Sequence, residues 1–120
     1  MINHLGKVTF DKDTISKKIQ KIINSKQSPI SLEEDDFRYL PKLLIEFDIE
    51  DSDENYTLNY PHFDFHPVDI VLSISYSNDM SLEECNKIME SLYQEYGEEL
   101  NIIYGFRIAI DFCIDIFVIN

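Results

Sequence analysis

The segment His62–His66 has the residue types and spacing of a metal site. In an extended chain successive side chains alternate between two sides, so His62, Asp64 and His66 would share one side, opposite two phenylalanines. Two imidazoles and a carboxylate are ligands that Zn²⁺ accepts. A proline flanks the segment on each side, and no cysteine lies nearby. The pattern therefore favours an edge strand packed through its phenylalanines, with metal binding as the alternative.

Three charged residues, Arg107, Asp111 and Asp115, interrupt an otherwise apolar run near the C-terminus. In a strand Arg107 and Asp111 lie on the same face, because residues four apart point to the same side. The solvated outer side of an antiparallel sheet explains both of these charges. The alternative is that this uncovered face, with Arg107 and its apolar neighbours, contacts another protein.

Paired carboxylates, which could act as general acid and base, occur as Glu83 with Glu84 and as Asp51 with Asp53. Acids are abundant in this chain, and these pairs fall where helix starts and turns favour them. No pattern indicates the burial that would shift a carboxyl pKa towards catalysis.

Hydroxyl and thiol nucleophiles have no catalytic context either. Ser73 and Ser75 lack a Gly-x-Ser-x-Gly motif, and Cys85 and Cys113 form no Cys-x-x-Cys pair. Each cysteine lies in an apolar run, which predicts reduced, buried thiols in a reducing compartment. We therefore predict no catalytic, cofactor-binding or metal-binding residues, no cofactor and no enzymatic activity.

The N-terminal third predicts a strand followed by a helix. Residues 7–10 read as a short strand, and an aspartate at 11–13 can cap a helix that ends near Ser25. The apolar residues recur at helical spacing and form one stripe: Ile15, Ile19, Ile22 and Ile23.

The middle third predicts an acidic connector and a β-hairpin. Residues 31–36 are too polar to bury, whereas residues 43–50 alternate as a strand with one apolar face and one largely solvated face. Residues 51–55 then read as a turn. The returning segment, 56–65, is interrupted by Pro61, which places it at a sheet edge or makes it partly irregular.

The last third predicts a strand, a helix and two more strands. Residues 69–76 alternate, with Ile70, Leu72, Ile74 and Tyr76 facing the core. Ser81 and Glu84 match a capping box, and Gly97 supplies a left-handed stop. Between these two signals, apolar residues line one face of the predicted helix: Leu82, Cys85, Ile88, Met89, Leu92 and Tyr96. Residues 100–119 predict two central strands with a break near Asp111-Phe112.

Composition limits the function classes. At 120 residues the chain fits one domain, and no stretch approaches the about 20 apolar residues of a membrane helix. The start lacks the pattern of a signal peptide, so we expect a cytoplasmic protein. A net charge of −13 argues against nucleic acid and anionic membranes as partners. Residues 31–66 alone carry eleven acidic groups against two basic ones.

Within residues 70–119, the segments Ile70-Val71-Leu72-Ser73-Ile74 and Met80-Ser81-Leu82-Glu83-Glu84 are similar to a strand, an Asp-Leu-(Ser/Thr)-Leu turn and a Glu-rich helix of a known domain. This domain is the C-terminal domain of the FtsZ/tubulin-like family, which residues 70–119 resemble. Asn101-Ile102-Ile103-Tyr104-Gly105 is similar to its Asn-Ile-Ile-Phe-Gly strand, Asp111 to the acid that closes it, and residues 114–119 to its last strand.

The resemblance implies the fold and a type of use. It implies an α+β two-layer sandwich, a mostly antiparallel sheet of four or more strands with two helices on one face. Residues 1–120 would form a single domain, with 31–66 as an acidic insertion that contains the hairpin. The family domain contributes to contacts within filaments, but the glycine-rich phosphate loops of the nucleotide domain are absent, so no nucleotide is expected to bind.

Two functions remain as hypotheses. The first is a non-catalytic interaction or assembly module that binds another protein, or a second copy of itself, through a sheet edge or open face. The alternative is an acidic inhibitor or immunity-type protein that blocks a basic partner surface with the carboxylates of residues 31–66.

Overall fold

A computed structural model describes residues 2–25, 28–37, 39–49, 56–77 and 82–120. Strands, two α-helices and one 3-10 turn follow one another along this part of the chain. Their bounds are β1 Ile2–Leu5, β2 Lys7–Thr9, α1 Lys12–Ile23, the 3-10 turn Glu34–Phe37, β3 Leu43–Ile49, β4 Tyr56–Asn59, β5 Asp69–Tyr76, α2 Leu82–Tyr96, β6 Asn101–Ile108 and β7 Phe112–Val118.

Five strands form the main sheet in the order β2-β3-β7-β5-β6. All neighbours are antiparallel except β5 and β6, which are parallel and are connected by α2. Strands β1 and β4 pair in parallel as a separate two-stranded sheet. The α+β class and the mostly antiparallel sheet with two helices are therefore confirmed.

Helix α1 begins where its sequence predicts. The Asp11 side chain accepts a hydrogen bond from the amide of Thr14 at 3.2 Å, which satisfies one of the free donors of the first turn. The predicted apolar stripe then packs on one face of the sheet. This cluster comprises Ile15, Ile19, Ile22, Leu32, Leu44, Val71 and Phe117.

Helix α2 packs on the opposite face, so the expectation that both helices share one face is wrong. Side chains alternate along a strand: Leu43 and Ile45 contact the α2 cluster, while Leu44 between them contacts the α1 cluster. The sequence predicted that Leu44 lies on a largely solvated face of β3, but Leu44 is fully buried. The core residues of α2 are Cys85, Ile88, Leu92 and Tyr96. Gly97 ends the helix with a φ of 104°, as predicted.

The predicted pairings of the later strands are partly wrong. Strand β3 pairs with β2 and β7, whereas β4 pairs with β1, so the described strands do not form the expected hairpin within 31–66. β4 ends at Asn59, before Pro61, as an interrupted segment requires. The break before Phe112 is confirmed, but β5 lies between β6 and β7. Only β7 is central, and β6 is an edge strand.

Two predicted features lie outside the described residues. One is the turn at 51–55 and the other is the capping serine, Ser81. In the described part of the chain, no helix is long and apolar enough to cross a membrane.

Candidate functional site

Strand β6 presents one long open edge of the main sheet. Its apolar, β-branched and aromatic residues suit a strand, and α2 returns the chain so that β6 lies parallel to β5. Among the described residues, no strand pairs with the outer side of β6. The other edge strand, β2, has only three residues.

One end of this edge is covered by the segment that follows α1. Ile30 and Phe106 exchange two backbone hydrogen bonds, with N···O distances of 3.3 and 2.8 Å. Gly105 lies directly beneath this segment, where a Cβ would come within 2.4 Å of Leu32 Cγ. The glycine therefore permits a close approach, and the open part of the edge spans residues 101–105.

The open part carries one exposed apolar side chain, that of Ile103, which is 47% exposed. Ile103 lines a groove of about 350 Å³ together with Tyr39, which is 67% exposed. Three carboxylates also line this groove: Asp35, Asp36 and Asp69. An apolar centre with a charged rim is the arrangement found in protein–protein contacts.

Asp69 fixes the start of β6. Its carboxylate accepts hydrogen bonds from the side-chain amides of Asn101 and Asn120, at 2.9 and 3.2 Å. These two bonds lower the pKa of Asp69 below its usual range. The open edge is therefore held in register with β5 at its first residue.

A charged cluster lies beneath α1, on the same face of the sheet as Ile103. Lys18 Nζ is 3.5 Å from Asp115 Oδ1 and 3.4 Å from Glu46 Oε2. Asp115 is 2% exposed and is thus a buried charged group. The second carboxylate oxygen of Asp115 has no hydrogen-bond partner in the described part of the chain.

The pKa of Asp115 is raised to about 6, mainly by burial and also by the neighbouring Glu46, and this is the net result because Lys18 and Arg107 oppose the shift. Burial opposes the charge on Lys18, but Asp115 and Glu46 outweigh it and raise the pKa of that ammonium. Asp115 is buried, whereas 21% of the Lys18 side chain and 24% of the Glu46 side chain are exposed. Lys18 was missed in the sequence because it lies in a run of lysines, although its position three residues after Ile15 places it beside the buried stripe.

The next row of the same face contains two further predicted positions. Arg107 is level with Ser75 and Cys113 across the strands and is only partly exposed. Cys113 Sγ donates to Asp48 Oδ1 at 3.1 Å, and burial with this bond raises the thiol pKa to about 11. Asp111 lies outside the strands and is exposed, so it does not share a strand face with Arg107.

The other hydroxyl and thiol candidates are structural. Ser73 and Ser75 lie opposite Ile70, Leu72 and Ile74, as predicted, but both are buried. Cys85 is buried, forms no disulfide in the described part of the chain, and has a thiol pKa raised by burial. These groups fill the core and are not placed to attack a substrate.

The segment His62–His66 keeps the predicted alternation without forming a strand. Phe63 and Phe65 stack with ring centroids 5.0 Å apart and pack against the core, while the histidines and Asp64 are exposed. His62 Nδ1 lies 3.7 Å from Glu95 Oε1. Across the described ranges, no three histidine, cysteine or carboxylate side chains are placed so that they could hold a metal ion. His62, Asp64 and His66 are among the residues to which this applies.

A second groove, of about 410 Å³, lies between β4 and α2. The Tyr56 hydroxyl donates to Glu84 Oε2 at 3.2 Å, and the Tyr60 hydroxyl is 2.6 Å from Ser91 Oγ. Burial is the main cause that raises the pKa of both tyrosines well above their usual value. Glu84 thus serves this contact, whereas Glu83, the other carboxylate of that pair, is exposed. The hydroxyl and carboxylate groups are used to attach β4 to α2.

No protein-family model matches the chain, and the comparison with curated proteins finds no significant match.

Proposed function

We infer that this chain is a non-catalytic protein-interaction module whose partner adds a strand to the outer edge of β6. The observation that carries this proposal is the length of open edge at residues 101–105, beside the exposed side chain of Ile103. Strand addition satisfies the main-chain donors and acceptors of such an edge, and side-chain pockets alongside it supply specificity.

The proposal is supported by how the two edges differ. Proteins keep exposed edges short or covered, because a long apolar edge pairs with other chains. Strand β2 follows this rule with three residues, and the Ile30 bridge covers one end of β6. The remaining open residues include the Asn-Ile-Ile-Tyr-Gly sequence that resembles the FtsZ C-terminal domain, a domain used in filament contacts. A function in binding explains why this part of the edge is not covered.

The two helices reduce the part of each sheet face that a partner could contact. The open sheet face expected around Arg107 is covered in part by α1, and α2 covers the other face. Among the described residues Cys85 and Cys113 form no disulfide, which supports a reducing compartment, and we place the module in the cytoplasm.

The alternative, an acidic protein that blocks a basic surface, has its own supporting observation. Glu33, Glu34 and Asp35 are exposed around the 3-10 turn, and Asp36 accepts a hydrogen bond from the amide of Glu33 at 2.8 Å. This turn presents several carboxylates on one short, ordered segment, which suits electrostatic steering onto a cationic partner.

Affinity capture from native cells, at low and at physiological salt, tests the two functions against each other. We expect Ile103→Lys to abolish capture, because it places a charge at the centre of the edge. The matched control is Ile110→Lys, at a residue that is 87% exposed but lies off the edge. Capture through the edge should change little with salt, whereas steering by carboxylates weakens steeply as salt rises.

A variant of the acidic residues provides the reciprocal test. Replacement of Glu33, Glu34, Asp35 and Asp36 by Gln or Ser should leave capture unchanged if the edge binds. If that variant loses the partner while Ile103→Lys retains it, the edge is not the binding site and the acidic alternative replaces it.

A further inference from the structure

The hydrogen-bonding geometry of β6 restricts how an added strand can pair with it. Phe106 uses both its N–H and its C=O on the outer side, towards Ile30. Outward-pointing groups recur every second residue, so those of Tyr104 and Ile102 also point outward. An incoming antiparallel strand must therefore place its own outward-pointing residues opposite Ile102 and Tyr104.

The β6 edge of a second copy of the chain meets this requirement. If two copies of β6 pair about a two-fold axis at Ile103, then Ile102 of one copy faces Tyr104 of the other, and the reverse. Both are hydrogen-bonded pairs, which gives four backbone hydrogen bonds across the axis. Centring the axis on Tyr104 instead would place Ile102 opposite Phe106, whose outer groups are occupied by Ile30.

The lengths also agree. In this register Asn101 of one copy lies opposite Gly105 of the other, and Ile30 fills the next position along the edge. The partner strand must therefore end there. It does, because β6 begins at Asn101 and the Leu100 amide already bonds to the Gly97 carbonyl at 3.3 Å, where the chain turns.

We propose that the strand added to β6 is β6 of a second copy of this chain, antiparallel and centred on Ile103. The inference rests on the proposed function, since it names the partner of the same edge. The exposed Ile103 side chains would then cover each other, at the close Cα separation of a pair without hydrogen bonds. The two five-stranded sheets would become one continuous sheet.

The pairing is short, which places it among weak, concentration-dependent interfaces. Both copies carry −13, and Asp35, Asp36 and Asp69 line the groove beside the axis. Added salt should therefore strengthen the dimer by screening this repulsion, the reverse of what it does to a complex with a basic partner.

Disulfide trapping of Ile103→Cys tests the register directly. Cα atoms about 4.5 Å apart lie within the range that a disulfide spans, so oxidation should link two copies efficiently. The native thiols should react slowly, because burial raises the pKa of Cys85 and Cys113. Asn101→Cys, on the same face and edge, is far from its own symmetry mate in this register and should not link. Ile110→Cys, off the edge, controls for random collision.

Sedimentation and light scattering on the untagged chain provide the second measurement. From about 1 µM to about 1 mM, the mass should rise from 14.2 kDa towards twice that value, and rise further when salt is added. Ile103→Lys should remain at the monomer mass throughout, and Ile110→Lys should behave as the wild type.

Failure of the inference can be separated from failure of the proposed function. A wild-type chain that stays monomeric, or a dimer that links through Asn101→Cys and not Ile103→Cys, overturns self-pairing at this register. In either case, capture of a different protein that is lost in Ile103→Lys leaves the edge as the binding site. Capture that ignores Ile103→Lys overturns both.

Discussion

On the α2 side of the main sheet, the strands present only apolar and aromatic side chains, whereas on the α1 side apolar residues give way to charged and hydroxyl ones. The α2 side includes Leu43, Ile45, Phe47, Ile70, Leu72, Ile74, Ile114 and Ile116. The α1 side starts with Leu44, Phe117 and Val71 in one row and continues with Glu46, Asp115 and Ser73 in the next. The sheet is thus covered on both sides, but its two faces tolerate charge very differently.

The difference follows from how each helix contacts the sheet. Helix α2 places four core side chains on its face, from Cys85 to Tyr96. Helix α1 buries three isoleucines in its cluster with the first row and places Lys18 beside the two carboxylates of the second row. A long side chain with a terminal charge can cover apolar surface and still neutralise a carboxylate. Glu46 and Asp115 are therefore retained where a lysine, not an aliphatic side chain, contacts them.

The largest effect should come from adding a charge to the apolar face. Leu92 is fully buried on α2, and Leu92→Asp removes its packing and buries a carboxylate without a partner. We expect a loss of about 5 kcal/mol in the free energy of unfolding, enough to unfold many domains of this size. Chemical denaturation followed by circular dichroism measures it.

Gln94→Asp is the matched control for that substitution, since Gln94 lies on the same helix and is exposed. It should change the free energy of unfolding by less than about 0.5 kcal/mol. Equal stability of Leu92→Asp and the wild type would show that α2 does not pack through this face.

A smaller effect of opposite sign should come from removing a charge on the α1 side. The raised pKa of Asp115 means that the folded chain holds this proton more tightly than the unfolded chain does. Between about pH 4 and pH 6 the folded state therefore binds more protons, and the free energy of unfolding falls as the pH rises. Asp115→Asn removes this loss and should stabilise the chain at pH 7 by up to about 3 kcal/mol.

The pH profile separates this cause from a change in packing. The advantage of Asp115→Asn should vanish below about pH 4, where both chains are neutral at this position. Asp111→Asn, at an exposed aspartate, should follow the wild type at every pH. A variant less stable than the wild type at pH 7 would mean that the ion pair with Lys18 outweighs the cost of burying Asp115.

The smallest of the three effects should come from Gly105, where the second row of the α1 side is covered by a loop. Gly105→Ala would press a Cβ against Leu32 and against the Ile30 carbonyl oxygen, 3.0 Å away. We expect a loss of about 1–3 kcal/mol, as in other overpacked sites. Thermal unfolding measures it, and Gly105→Ala should cost less when it is made in a Leu32→Ala background, because that background lacks the nearest atoms.

Much of the fold could be predicted from periodicity, and the errors have a common cause. The stripe of α1 and the alternation of β3 correctly identify buried residues such as Ile19 and Phe47. Periodicity gives which side of a strand a residue occupies, but not which helix covers that side. Leu44 alternates with the apolar face of β3, at positions that an uncovered sheet would expose to solvent. It is buried because α1 packs on that face.

Pairing partners were harder to predict than elements, because no local residue encodes them. The turn chemistry suggested that β3 and β4 form a hairpin, yet β3 pairs with a strand more than sixty residues away. The candidate site shows the same limit. Ile103 and Gly105 were visible in the sequence, but their position on an edge depends on β7 inserting next to β5.

The place of β7 in the sheet also has a consequence for synthesis. It is the last described strand to be made, yet it lies between β3 and β5. Until Phe112–Val118 emerge from the ribosome, the nascent chain can form only two separate parts of the main sheet, β2 with β3 and β5 with β6. Each part then exposes the apolar edge that β7 will occupy. The pairing of β3 with β7, which joins residues far apart in sequence, cannot yet form. A nascent chain that stalls before Phe112 should therefore be a strong chaperone substrate and prone to aggregate.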